Sequence, residues 1–182
     1  MNNKISFLSI VLDIFSYGIL GALLAVLQTT LMPRLSIYYA VADIIIGAIC
    51  CIGIYKGENT AALFGLWAGL CVEALGSTNI SLLPLFYTFA GYVCGKIGFN
   101  AKTNARFAAY LVTLPLLCLS RTAFSLFFHL LRYFESIDFE MLFLYTLLPE
   151  FIYTLIVCIP VYIFVKIYEY PLYIIRKRGG LY

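Results

Sequence analysis

The chain is predicted to be an all-α integral-membrane protein, one domain over residues 1–182 with six transmembrane helices in a single bundle. Composition carries the first part of that prediction. AVILMFWYC make up 63% of the residues and DEKR only 12%, against about 25% charged residues in soluble domains. Mean hydropathy is +0.97. Twelve Lys+Arg and nine Asp+Glu cannot clothe a soluble surface of this size. A soluble globular protein, a disordered chain and a nucleic-acid binder with a broad basic face are all excluded. The second observation is segment length: a bilayer core of ~30 Å needs about 20 mainly apolar residues per helix, and six stretches qualify.

Span 1 is expected over 9–31, ending before Pro33. Only one lysine precedes it, Asp13 interrupts its apolar run and no A-x-A cleavage site follows, so it reads as a retained helix rather than a removed signal peptide. Span 2, over 37–55, carries Asp43 near its start. Its uncharged part is short, which fits a tilted or partly re-entrant segment. Spans 3 to 6 follow at 59–76, 80–99, 105–131 and 141–168, with short connections and no alternating strand pattern. Pro84, Pro115, Pro149 and Pro160 lie within these spans and are expected to kink them. Leu148-Pro149-Glu150 thereby sets a kink beside a charge.

Basic residues set the predicted orientation, because cytoplasmic loops carry their excess. With the N-terminus inside, Lys4, Lys56, Lys96, Lys102, Arg106, Lys166, Arg176, Lys177 and Arg178 fall on the inner side. Only Arg34 and Arg132 fall outside, beside Glu135, Asp138 and Glu140, and Arg121 is left within a helix. Both termini are therefore expected to be cytoplasmic. The basic tail is a topology anchor or a contact for a cytoplasmic partner.

Asp13, Glu73, Arg121 and Glu150 lie within spans, where an unpaired charge costs at least ~2.5–3.5 kcal/mol. Arg121 sits about 15 Å and Glu150 about 14 Å from the same face at a 1.5 Å rise per residue. Those depths predict an Arg121–Glu150 ion pair, which either locks the bundle or lines a polar pocket. Glu73 is near the outer surface, in reach of Arg34 or Arg121. Asp13, near the inner surface, is expected to snorkel or meet Lys4. His129 is read as interfacial. Arg34, Asp43, Glu73, Arg121 and Glu150 form the candidate set for partner binding or bundle locking.

Glycines mark expected helix contacts. Gly65 and Gly69, Gly91 and Gly95, and Gly53 and Gly57 have GxxxG spacing, which permits close backbone approach in lipid. Cys50, Cys51, Cys71, Cys94, Cys118 and Cys158 lie in apolar runs without a CxxC pair and read as packing residues. No metal or cofactor is expected. No HExxH, GxSxG, Walker loop or Ser/His/Asp grouping is present. Asp13 and Asp43, near opposite faces, do not make an aspartyl-protease dyad. An enzyme is not expected.

These residues resemble the rod shape-determining protein MreD family. The resemblance starts at Gln28-Thr29-Thr30-Leu31-Met32-Pro33, similar to the family's Q-[ST]-x-x-x-P, and continues at Ala42-Asp43 and Tyr55-Lys56-Gly57-Glu58. It includes the stretch from Ala61 to Leu70 with Gly65 and Gly69, the acid at Glu73, Gly91-Tyr92-Val93-Cys94-Gly95-Lys96, and Leu148-Pro149-Glu150. Ala42, Glu73 and Thr154 stand where the family often has proline, aspartate and a nearby asparagine.

The resemblance implies a bacterial cytoplasmic-membrane component of the cell-elongation machinery, acting in cell shape and lateral peptidoglycan synthesis. It implies a non-enzymatic scaffold that binds MreC directly, with MreB, RodA and a class B penicillin-binding transpeptidase in the same complex. The family is also similar in fold to the substrate-binding components of energy-coupling-factor transporters. A vitamin-capture subunit is accordingly the alternative function. Span 1 has Ala22 and Ala25 but not the A-x-x-x-A docking spacing of those components.

Overall fold

The structure, a computed structural model, describes residues 2–36, 40–76, 82–99, 105–132, 144 and 147–178. Among them are six α-helices and no strand: α1 (Asn2–Thr30), α2 (Ile44–Lys56), α3 (Glu58–Leu75), α4 (Leu83–Phe99), α5 (Arg106–Arg132) and α6 (Leu148–Arg178). A 3₁₀ turn, Met32–Leu35, follows α1 and carries Pro33 in its first turn. The predicted starts of spans 4 and 6 (80–81 and 141–143), the loop acids Glu135, Asp138 and Glu140, and Lys102 lie outside the described residues. So do the side chains of Lys4 and His129.

Three helices are long and apolar enough to cross a membrane, through Asp13–Thr30 of α1, Arg106–Phe127 of α5 and Leu148–Tyr170 of α6. Their outer faces are apolar: Val112 is 74% and Ile167 67% exposed. The polar contacts of Asp43 and Arg121 lie inside instead. That inversion of the soluble pattern is what a lipid surround requires.

Helix α2 is the axis of the molecule. Eleven of its thirteen residues are buried, and α1, α3, α4, α5 and α6 all pack against it. A helix apolar all round belongs in a protein interior or in lipid, and here its neighbours enclose it. Its beginning corrects the expectation for span 2, which placed helix from residue 37. Residues 40–43 are not helical, and the helix starts at Ile44. The cause is Asp43, whose extended backbone (φ −101°, ψ 95°) and side-chain bonds to the Ile45 and Ile46 amides make it the N-cap.

At the other end, α2 turns into α3 through Gly57 alone. Its φ of +94° with ψ 177° is open only to glycine. A Cβ there would meet nothing within 4 Å, so Gly57 serves the turn, whereas its GxxxG partner Gly53 lies against Cys94 of α4.

Helices α3 and α4 form the most extensive pair. They run antiparallel with Gly65 beside Tyr87, Gly91 beside Ala61, Gly95 beside Glu58 and Gly69 beside Pro84. A Cβ on Gly65, Gly91 or Gly95 would overlap the opposing backbone, and one on Gly69 would lie 2.5 Å from the Pro84 Cα. Backbones this close exchange dispersion contacts that no larger residue would permit.

One of the four expected proline kinks is unnecessary. Pro84 is the second residue of α4, where a missing N–H costs no helical bond, whereas π-helical Leu147 directly precedes α6, two residues before Pro149. Pro115 and Pro160 are interior to α5 and α6.

Candidate functional site

The N-terminus of α2 ends inside the protein, and four other helices satisfy it. Asp43 is 3% exposed. Its Oδ1 accepts from the amides of Ile45 (3.1 Å) and Ile46 (3.4 Å). Its Oδ2 accepts the Tyr87 hydroxyl of α4 at 2.6 Å and the Arg121 Nε–H of α5 at 3.1 Å. The Asp43 amide donates to Thr154 Oγ1 of α6 at 3.1 Å, and the Cys158 thiol of α6 points to the Asp43 carbonyl at 3.7 Å.

Gln28 of α1 completes the node. Its Nε2 donates to the Ala42 carbonyl and its Oε1 accepts the Ile44 amide, both at 2.9 Å. The amide side chain thus bridges the peptide groups on either side of Asp43. The Asp43 carboxylate joins α2, α4 and α5, and the backbone at and beside Asp43 adds α1 and α6.

The electrostatics follow from the burial. Arg121, with its side chain 14% exposed, and Asp43 form the ion pair found among the described residues. An isolated charge of either sign would be costly in this interior, and the pair cancels both while the hydrogen bonds occupy the remaining lone pairs. The carboxylate receives four donors. That arrangement suits holding helices in register, because no free lone pair is left to take a proton from a substrate. The Nη1 of Arg121 is buried and has no hydrogen-bond partner.

The predicted Arg121–Glu150 pair is not formed. Arg121 turns to Asp43, while Glu150, half-buried on the first turn of α6, stands within electrostatic range of both. Matching depth fixed only the level along each helix. The direction of the side chain around the helix axis decides the partner, and the α2 cap holds the better-placed carboxylate. Glu73, half-buried on α3, receives neither Arg34 nor Arg121 in an ion pair; Arg34 is exposed on the 3₁₀ turn. Of the five candidate polar residues, the structure brings together Asp43 and Arg121 with Glu150 nearby, and leaves Arg34 and Glu73 apart.

Tyr87 was not named from the sequence, Thr154 entered only as a departure from the family pattern, and Cys158 was read as a packing residue. The signal available was general: a hydroxyl or thiol within an apolar helix needs a partner when water is absent. The same reasoning covers Cys50, whose sulfur lies 3.0 Å from Thr113 Oγ1, and Tyr110, whose hydroxyl donates to the Cys158 carbonyl at 2.7 Å. All six cysteines are free thiols.

A second feature lies on the outside. Helices α1 and α3 border an open groove of about 890 Å³, lined by Ile14, Phe15, Ile19, Leu63, Leu66 and Trp67 among others, with Asp13 and Thr60 toward one end. Trp67 fixes its floor by donating Nε1–H to the Gly18 carbonyl at 2.9 Å. A Cβ on Gly21 would lie 2.9 Å from the same indole, so glycine there makes room for it.

Comparison with protein-family models, with curated proteins and with solved structures gives no match for this chain.

Proposed function

We propose that the chain is a non-enzymatic scaffold of the bacterial cell-elongation complex, of the MreD type, that holds the membrane helix of an MreC-like partner. In this reading six helices cross the cytoplasmic membrane in a bundle like that of an energy-coupling-factor substrate-binding component, with both termini in the cytoplasm. The observation that carries it is the coincidence of two sets of residues. Gln28 and Asp43 bear the family resemblance and also build the buried node. Gly65, Gly69, Gly91 and Gly95 bear it and also line the α3–α4 contact.

The node makes the bundle a stiff platform, and the α1–α3 groove offers that platform's concave apolar face to a partner helix. Residues such as Leu63, Leu66 and Trp67, already exposed, would be covered in the complex. Large aromatic anchors in a groove are the usual centres of binding energy.

The test is recovery of MreC with the affinity-tagged full chain from detergent-solubilised membranes. Trp67→Ala combined with Leu63→Ala is expected to lower MreC recovery at least ~10-fold while leaving the chain inserted and folded, since truncating one anchor typically costs ≥ 2 kcal/mol. Arg121→Leu should lower recovery too, through the bundle itself, and its thermal stability should fall in parallel. Undiminished recovery with the groove variant would remove the groove from the proposal, and absence of MreC from the unaltered chain would remove the partner.

A further inference from the structure

The end of the bundle opposite the node gathers positive charge around one tyrosine. Tyr55, the penultimate residue of α2, has Lys166 of α6 with Nζ 4.2 Å from its ring centroid and the Arg106 guanidinium of α5 at 5.5 Å. Lys166 also lies 5.6 Å from the Tyr162 ring, and the Tyr55 and Tyr162 hydroxyls bond to each other at 2.7 Å. Lys56 is exposed beside them.

Two cations drawn to one ring would ordinarily be accompanied by a carboxylate. Among the described residues none pairs with either. Glu169, one turn beyond Lys166, accepts the Tyr17 hydroxyl at 2.9 Å. The Arg106 Nε–H is buried and makes no hydrogen bond, an arrangement that is rare without an absent partner. Cation–π contacts hold both side chains in place but do not neutralise them.

Below the cluster the surface is apolar. Phe107 and Leu111 are exposed one turn apart on α5, as are Ile159 and Ile163 on α6. A positive rim above an apolar flank has the chemistry of a phospholipid: a phosphate above, acyl chains beneath.

We propose that Arg106, Lys166 and the paired tyrosines bind the phosphate of one anionic phospholipid headgroup between the ends of α2, α5 and α6. The site stands apart from the node and the groove, and its test does not involve MreC.

The full chain in neutral detergent is titrated with dioleoylphosphatidylglycerol, dioleoylphosphatidylcholine or inorganic phosphate, and retained lipid is counted by native mass spectrometry. One phosphatidylglycerol is expected to be retained in preference to phosphatidylcholine by about 30-fold, the ratio two interfacial cations supply. Arg106→Gln with Lys166→Gln should reduce the preference to about threefold or less, and Arg106→Gln alone should reduce it about fivefold. The charge-preserving pair Arg106→Lys with Lys166→Arg should retain most of it, as should Lys96→Gln, which alters a lysine placed over Tyr92 on α4. Thiol-reactive melting of each variant separates lost binding from lost folding, and the single variant carries the test if the double one unfolds. An unchanged preference in Arg106→Gln, or an equal loss in Lys96→Gln, overturns the site. Displacement of the lipid by equimolar inorganic phosphate overturns the lipid assignment in favour of a soluble anion.

Discussion

Removing one member of the Asp43–Arg121 pair tests the electrostatic reading of the node directly. In Arg121→Met the carboxylate keeps Tyr87 and two backbone amides but loses the one counter-charge it pairs with among the described residues, 3.1 Å away. Breaking a buried pair in this way costs about 3–5 kcal/mol. For a chain of 182 residues, at about 2–4 °C per kcal/mol, the melting temperature should fall by ~6–20 °C. Asp43→Asn should fall by a similar amount, because asparagine still caps α2 while Arg121 is left unmatched. The double variant removes both charges, and its loss should be smaller than either single loss, about 2 kcal/mol or less. Five buried cysteines supply the assay: a thiol-reactive fluorogenic dye reports their exposure as the detergent-solubilised protein is heated. Additive single losses, or an Arg121→Met variant within about 0.5 kcal/mol of the unaltered chain, would refute the proposed neutralisation and reduce the pair to incidental proximity.

The same melting assay reads the rest of the node and the helix contacts. Tyr87→Phe removes a 2.6 Å bond to a carboxylate and should cost ~1.5–3 kcal/mol. Thr154→Ala leaves the buried Asp43 amide without its acceptor and should cost ~1–3 kcal/mol, whereas Thr154→Ser should stay within about 0.5 kcal/mol. Equal losses in the two Thr154 variants would assign the effect to the methyl group instead. Gly91→Ala drives a Cβ into the Ala61 carbonyl and should cost ~1–3 kcal/mol, while Gly18→Ala, with nothing within 4 Å of its added atom, should be tolerated up to the small propensity change.

The all-helical architecture was legible because composition and apolar run length report the solvent around the helices. The glycine spacing was legible for a related reason: close approach requires a missing side chain, and Gly65, Gly69, Gly91 and Gly95 each face the opposing backbone. The beginning of α2 was harder to read, since hydropathy averages over Ile37–Tyr55 and cannot register that one aspartate side chain replaces the first helical hydrogen bonds. Arg121 was recognised as a charge needing a partner, yet a rise per residue contains no azimuth, so Glu150 and Asp43 could not be distinguished. Gln28 belonged to a recognisable motif, but its two bonds cross to a segment 14 and 16 positions away. Tyr87 and Thr154 looked like ordinary members of apolar helices until their hydroxyls were placed in three dimensions.

The enclosure of α2 also constrains how the chain is assembled. This helix leaves the ribosome before α4, α5 and α6, and the side chains that quench its polar beginning are encoded 44, 78 and 111 residues later, on Tyr87, Arg121 and Thr154. With thirteen residues, about 20 Å long, it is also shorter than the hydrocarbon layer it would have to cross alone. Its final seat therefore becomes available only after α6 has been synthesised, so the enclosure of α2 follows its emergence by more than a hundred residues of chain, about 111 counted from Asp43 to Thr154.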